Sequence, residues 1–409
     1  MGDVLTIEKR DSSRNAVTVS GTIRGAAGTL TLTSQYQTVS FTAESASSWV
    51  PTGDHRTKTA LDAAYGAFTL VTLFGVKTTN DSTTNTPLFQ AAIDSLAATG
   101  GTVFVPAGTF NVGNVTFPPN VNLAGPGTLN GAQVTFGSGV RQEYNSTVTG
   151  ITFTGTRTAG YCPIRIKAVR RLRITQCTIR GADKAVYVEP TVGLAQHDNS
   201  MIDIEHNTFE EVNYAWYVDK DAGAGWDVTA DSHFIGNIIN RAYIRHVHIE
   251  AIDGVDISNN RMFFLSYNTT SGEVVNKRQN IYIAGLCDWV KITGNDLFEA
   301  GWEGIRLDNA QHAVIVGNNV AWPGQLQPSD AISLSGNVAS YWTVAGNVFS
   351  RYTRHAMSLN VAFAQVRIGP NVCEYDPSVS QYIGVTYGQL LCLRSPTTAT
   401  TPRMASPAR

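Results

Sequence analysis

The chain has 409 residues, 43% apolar and 15% charged, and its 30 basic and 32 acidic side chains leave a formal net charge of −2. Those figures allow a large core and argue against a nucleic-acid partner, because phosphate binding needs a clustered basic excess that this sequence lacks. The stretch Ala64 to Val76, interrupted by Gly66, Thr69, Thr72 and Gly75, falls short of the ~18 consecutive apolar residues of a membrane span, so no membrane partner is expected.

Residues 1–55 alternate with the two-residue period of half-exposed strands: Val4, Leu5 and Ile7, then Val17, Val19 and Ile23, Leu30 and Leu32, Val39 and Phe41. Asp11-Ser12-Ser13 and Gly25-Ala26-Ala27-Gly28 supply turns between them. This predicts a small β attachment module, followed by a connector over 56–70 with a short helix at Thr59 to Ala64. Met1-Gly2-Asp3-Val4 lacks the basic and then apolar pattern of a signal peptide, so synthesis in a cytoplasm is expected. Cys162, Cys177, Cys287, Cys373 and Cys392 are odd in number and far apart, which predicts packed free thiols rather than a disulfide framework or metal site.

The next block opens with the apolar run Leu70-Val71-Thr72-Leu73-Phe74, read as a buried strand, and a polar loop from Lys77 to Asn85. A helix is expected with Thr86 as N-cap and Pro87 at its first position, Leu88, Ala92, Ile93 and Leu96 on one face, and Gly100-Gly101 as its stop. The words Phe74-Gly75-Val76-Lys77, Asp81, Thr86 with Phe89-Gln90-Ala91-Ala92-Ile93, Gly100-Gly101-Thr102-Val103, Val105-Pro106-Ala107-Gly108-Thr109-Phe110, and Leu123 with Gly125 carry a likeness. At these residues the chain resembles the N-terminal region of the pectate-lyase-like superfamily of right-handed parallel β-helices, which includes phage tailspike depolymerases. The resemblance covers about 70–380 and implies an all-β solenoid, residues 71–385, with an N-terminal capping helix. One departure stands in the loop, where the family's Gly-Asp-Gly and paired acids become Thr78-Thr79-Asn80-Asp81-Ser82. Residues 1–55 also look like β modules of phage tail appendages.

From residue 148 onward a phrase, apolar-x-x-Asn-x-apolar, returns at intervals of 23 to 35 residues: Asn207, Asn237, Asn260, Asn295, Asn318, Asn347 and Asn371, with Ile151 and Cys177 as earlier variants. A period that wanders without breaking marks stacked coils, each burying its apolar face against its neighbours. The Asn side chains are expected to form a hydrogen-bonded ladder at a bend whose unusual φ Asn tolerates. Between successive phrases lies a second strand type, such as Ala185-Val186-Tyr187-Val188 or Ala215-Trp216-Tyr217-Val218.

Alternation fixes which side chains of this second strand point out. The outward pairs, coil by coil, are Arg165 and Lys167, Tyr187 and Glu189, Tyr217 and Asp219, His248 and Glu250, Tyr282 and Ala284, Arg306 and Asp308, Ser333 and Ser335, and Ser358 and Asn360. Four of these eight final positions are acidic, against 32 of 409 in the chain as a whole. Like charges on neighbouring rungs repel, so structure alone gives no reason to stack them. Carboxylates beside aromatic rings suit a sugar chain: rings pack on its apolar faces while acids bond hydroxyls and move protons. Glu250, Asp219, Asp308 and Glu189 are therefore the catalytic candidates. Glu250 is the expected general acid, with a raised pKa, and Asp219 or Asp308 is its partner. Tyr187, Tyr217, His248, Tyr282, Arg306 and the loop residue Trp226 are the substrate-binding candidates, with Glu299 and Glu303 held in reserve. Three insertions, Lys220 to Ser232, Phe263 to Gln279 and Trp322 to Asp330, are expected to wall the strip along one side.

The tailspike resemblance implies a homotrimer in a phage virion that joins a tail or baseplate protein through residues 1–55, with the Pro/Thr-rich residues 386–409 as a tail. The expected function is binding and endo-hydrolysis of a bacterial surface polysaccharide or lipopolysaccharide glycan, with no cofactor. Two alternatives stand: a polysaccharide lyase, in which the acids would hold Ca²⁺ and Arg306 or Lys167 would act near the substrate's α-proton, and a non-catalytic receptor-binding fibre. The Asp-Asp and Gly-His-Gly words of polygalacturonases are absent.

Overall fold

The structure, a computed structural model, describes strand residues 4–8, 17–23, 26–32, 38–45 and 48–51, and then residues 68–189, 199–220, 229–265, 278–285, 287–309, 311–336, 340–361 and 364–374. The expectations for the 59–64 helix, Trp226, Cys392 and the 386–409 tail lie outside the described residues. The N-terminal strands form one five-stranded sheet. Val4–Glu8 pairs antiparallel with Thr38–Ser45, and Val17–Ile23 with Ala26–Leu32, so Ala26 to Gly28 belong to a strand and not to the expected turn.

Downstream, the chain winds as a parallel β-helix, the fold class its sequence predicts. Each coil has three straight segments. One belongs to a twelve-stranded parallel sheet, and the other two are successive legs of a nineteen-stranded one. One full coil shows the plan. Thr229–Ile235 lies in the first sheet, Gly236 and Asn237 turn the corner, and Ile238–Ile249 supplies both legs before Ile252–Ser258 opens the next coil. Every second side chain points inward. Phe117 stacks on Phe136 at 5.1 Å, Phe209 on Phe234 at 5.9 Å and Trp216 on Phe234 at 5.6 Å, all fully buried.

At the corner between the two sheets the expected Asn ladder is present. From Asn207 to Asn371, each Asn Nδ2 donates to the Oδ1 of the next at 2.9–3.1 Å. The same Oδ1 atoms also accept the preceding Asn's backbone N–H, and Cys177 N enters the ladder by donating to Asn207 Oδ1 at 2.9 Å. The unusual φ falls one residue earlier than expected, on Gln176, His206, Gly236, Asn259, Gly294, Gly317 and Gly346. The preceding residue makes the bend, and this leaves the Asn side chain aimed into the core.

The N-terminal end also departs from the sequence reading. Phe68–Leu70 is a short strand and Val71–Phe74 a 3-10 turn. Helix α1 spans Ser82–Asp94 with Asp81 as N-cap, its carboxylate accepting Thr84 N–H at 2.8 Å. Asp81 wins because Thr86 is used elsewhere: its Oγ1 bonds Ser82 O at 2.5 Å and accepts Gly113 N–H at 2.7 Å. Pro87 therefore sits inside the helix. Gln90 completes the cap, its Oε1 accepting Thr116 N–H at 2.9 Å and its Nε2 donating to Thr116 O at 3.0 Å. Among the described residues strand Asn114–Phe117 has no preceding rung, and one amide side chain substitutes for it.

Candidate functional site

The predicted parity holds along the second leg. Val186, Val188, Trp216, Val218, Val247, Ile249, Ile281, Ile283, Ile305 and Leu307 are buried in the core. Register places Arg165, Tyr187, Tyr217, His248, Tyr282 and Arg306 side by side on successive rungs. The ladder then runs one residue further: Glu189 N–H donates to Ile166 O, Asp219 to Val188 O, Glu250 to Val218 O and Ala284 to Ile249 O, at 2.8–3.2 Å. Those bonds align Glu189, Asp219 and Glu250 on three consecutive rungs, with Asp308 two rungs beyond Glu250 across Ala284.

The four acids differ in how they are held. Glu189 Oε2 is clamped by Arg165 at 2.7 Å and Lys167 at 3.0 Å. Asp308 accepts Tyr282 OH at 3.1 Å, Ser335 Oγ at 2.8 Å and Arg306 Nε at 3.2 Å. Asp219 is less engaged, accepting Tyr187 OH at 3.2 Å and Lys220 N–H at 3.0 Å. Glu250 uses Oε1 alone, facing His248 Nε2 at 3.1 Å and Tyr217 OH at 3.5 Å. Among the described residues, no partner engages its Oε2.

Sequence reasoning missed the residue that orients His248. Arg245 places a guanidinium nitrogen 2.6 Å from His248 Nδ1. Arginine only donates, so Nδ1 must accept and the ring proton must sit on Nε2, directed at Glu250. Burial, then Arg245, Lys184 and Arg278, push the His248 pKa down to about 3, so the imidazole is neutral in physiological conditions. Arg245 is tied in turn to Gln279 Oε1 at 2.9 Å, whose Nε2 donates to buried Glu303 at 2.8 Å. Lys184, Tyr214 and Arg245 occupy one register column, three residues before Tyr187, Tyr217 and His248. Extending the second-strand reading by three residues would have exposed that column.

Two substrate-binding expectations change character. Tyr187 and His248 point away from the core yet are only 9% and 5% exposed. Neighbouring rungs cover them: Lys184 Nζ lies 4.0 Å from the Tyr187 and Tyr217 ring centres, and Tyr217 stacks on His248 at 4.4 Å. Burial comes first among the influences raising the pKa values of Tyr187, Tyr217 and Tyr282, with nearby carboxylates second, so all three phenols remain donors. Tyr217, Tyr282 and Arg306 keep partial exposure.

The walls also differ from expectation. Lys220–Ser232 leaves the end of a second leg, just beyond Asp219, whereas 263–279 and 322–330 join a first leg to a second. The described residues at which these excursions leave the coils therefore lie at both edges of the strip. Asp330 is fully buried, bonding His355 Nδ1 at 2.7 Å and Arg354 Nε at 2.8 Å, and takes no part in a surface site. Cys162, Cys177 and Cys287 are buried free thiols and Cys373 an exposed one. Among the described residues no His, Cys, Asp and Glu group is arranged to hold a metal ion.

Fold and strip together define a parallel β-helix with an aligned row of acids on one solvent-facing wall. No family model matches the chain, and no curated protein matches it by sequence. Among solved structures, the chain is similar to the mannuronan C-5 epimerase AlgE4 A-module of Azotobacter vinelandii, at 15% identity and TM-score 0.47, covering 78% of this chain and 100% of that one. It is also similar to ORF18 of Geobacillus virus E2, at 13% identity and TM-score 0.46, covering 81% and 66%. A mutant tailspike of E. coli bacteriophage HK620 in complex with a pentasaccharide matches at 16% identity and TM-score 0.43, covering 72% and 64%.

Proposed function

We propose that this chain is a tailspike-like protein that binds a bacterial surface polysaccharide along the acid strip and hydrolyses it within the chain, with Glu250 and Asp219 as the reacting carboxyl groups. The observation that carries the reading is the Oε2 of Glu250, which no described residue engages, set one rung from the lightly engaged Asp219 while Glu189 and Asp308 are tied down by cations. Because Oε1 already accepts from His248, a proton carried by Glu250 belongs on Oε2, where a glycosidic oxygen can take it. Tyr217, Tyr282 and Arg306 line the same wall and offer ring edges and hydrogen-bond donors to the sugar. Adjacent rungs are ~4.8 Å apart, close to the ~5–5.5 Å carboxyl spacing of retaining glycosidases and short of the inverting range. Attachment through residues 1–55 and three-fold assembly in a virion belong to the same proposal and rest on the sequence resemblance.

The test is an array of purified bacterial capsular polysaccharides and O-antigens, followed by mass and anomeric NMR analysis of the captured glycan after incubation. Shortened products with reducing ends and retained configuration are expected. Glu250→Gln and Asp219→Asn should each slow turnover by at least about a thousandfold while glycan capture persists, because the first removes the proton donor and the second the nucleophile, and neither removes the wall. Unsaturated, ultraviolet-absorbing products would identify a lyase instead. Capture without any shortening would leave a binding fibre.

A further inference from the structure

The outer face of the twelve-stranded sheet carries a second organised surface. Near the start of six successive strands stands one residue with left-handed φ between 45° and 84°: Asn145, Arg171, Met201, Asp231, Gly254 and Trp289. Register passes over these positions. Asp253 lies opposite Asp288 and Val255 opposite Val290 with no shift of register, so Gly254 and Trp289 fall side by side at a place the ladder skips, and Asp231 and Gly254 do the same one strand earlier. A left-handed residue at the same place in each strand interrupts the pleat there, and these six, exposed or half-buried, stack as a column along the axis.

Within that column Gly254 has no side chain, and its neighbours are Asp231 and Trp289. The two flanking backbones are two rungs apart, ~9.6 Å, and the Asp231 carboxylate leans over the Gly254 backbone between them. A Cβ added at Gly254 would lie 2.9 Å from Asp231 Oδ1. Trp289 is 64% exposed, an unusual state for a large aromatic side chain, yet its orientation is fixed. One face of the indole stacks on His312 at 4.4 Å and 7°, and His312 stacks on Tyr341 at 5.1 Å and 3°. Asp288 holds His312 through Nδ1. The other indole face looks back along the axis toward Gly254.

This slot opens into a groove of about 710 Å³, which Arg173, Asp203, His233, Asp256 and Lys291 also line. Most of its charged groups have a partner, and Asp231 has none among the described residues. His233 pairs with Asp203 at 2.7 Å, Lys291 with Asp256 at 2.6 Å and Arg173 with Glu205 at 2.7 Å. Paired ions offer fixed dipoles, and the Asp203 and Asp231 carboxylates disfavour an anionic ligand, which suits a neutral one rich in hydroxyls. A flat indole face beside a carboxylate is the pairing that receives a pyranose ring, apolar face on the tryptophan and hydroxyls on the acid.

We propose that the Asp231–Gly254–Trp289 slot is a second saccharide-binding site, distinct from the acid strip, that takes one neutral pyranose unit of a polysaccharide. Two sites on different sheets of one chain give a long glycan two points of attachment, and the second raises effective affinity without taking part in cleavage. The proposal shares its ligand class with the acid-strip reading but not its residues.

The test titrates the array-captured polysaccharide into full-length protein in a Glu250→Gln background, with Trp289→Ala, Gly254→Asn and Tyr217→Ala added singly. Asn tolerates left-handed φ, so Gly254→Asn fills the slot with little backbone strain. Both slot variants should weaken polysaccharide binding at least tenfold. In protein with Glu250 intact, they should leave the rate on a short soluble oligosaccharide unchanged. Affinity retained in both slot variants but lost with Tyr217→Ala overturns the slot and leaves the strip reading intact. A change in subunit number on sedimentation of Trp289→Ala also overturns it, since a second copy of the chain would then be the occupant. An array that captures nothing with the unsubstituted protein removes both readings.

Discussion

His246 and His248 stand two residues apart on one strand, 0% and 5% exposed, and burial pushes the pKa of each down from 6.5 to about 3. His248 is paired on both ring nitrogens, while Nδ1 of His246 has no hydrogen-bond partner. The unfolded chain binds protons on both rings below about pH 6.5, but the folded chain does not until about pH 3. Their contribution to stability is therefore complete above pH 6.5 and is lost as pH falls through that window, by up to about 1.4 kcal/mol per pH unit for each ring. Calorimetric melting from pH 7 to 4 should show the decline, and His246→Phe should flatten it. A variant that follows the parent's slope would mean that His246 is protonated in the fold. The outward position of His248 was legible in the alternation of Val247, His248 and Ile249. Its proton placement was not, because that depends on Arg245 crossing a bend that sequence alone does not locate.

At the scale of the strand and corner, the Asn ladder concentrates stability at one turn of every coil. Asn260 Nδ2 donates to Phe234 O at 2.8 Å and to Asn295 Oδ1 at 2.9 Å, while its Oδ1 accepts Asn237 N–H and Nδ2. It is fully buried. Asn260→Ala strands several of these groups without water, at about 1–3 kcal/mol for each one left unpaired. Urea unfolding should show a loss of at least about 3 kcal/mol. Asn371→Ala, at the ladder's partly exposed last rung, should cost less than half as much. Equal losses would mean that the ladder is not cooperative with the core. The spacing of the Asn phrase made this ladder readable in advance. The helix start was misplaced because Thr86 and Asp81 are both good caps, and only the docking of Thr86 on Gly113 decides between them.

Over the whole molecule, the strip from Glu189 to Asp308 crosses four rung steps, a length of ~19 Å. On the proposed function, a substrate of that reach spans several sugar units, and remote contacts at Tyr282 and Arg306 would assist the reacting bond only when the glycan extends to them. Fragments of the captured polysaccharide should therefore show kcat/KM rising with length, by about tenfold or more from a disaccharide to a chain that covers the strip. Fragments that react equally well at every length would leave Asp308, Arg306 and Tyr282 outside the site. The Trp289 slot was invisible beforehand, because it arises from left-handed residues on a sheet whose outward side chains the repeat phrase does not report. Side-chain period and the recurring Asn determined by themselves that this chain coils, which residues face inward, and that Glu189, Asp219, Glu250 and Asp308 share a wall, since a two-residue period and a fixed corner leave no other arrangement. Only the tertiary structure decided which of those carboxylates keeps an oxygen that no described residue engages, because the cations on Glu189 come from a neighbouring coil and the Arg245–His248 contact crosses a bend within one strand, and neither distance is encoded by a local pattern.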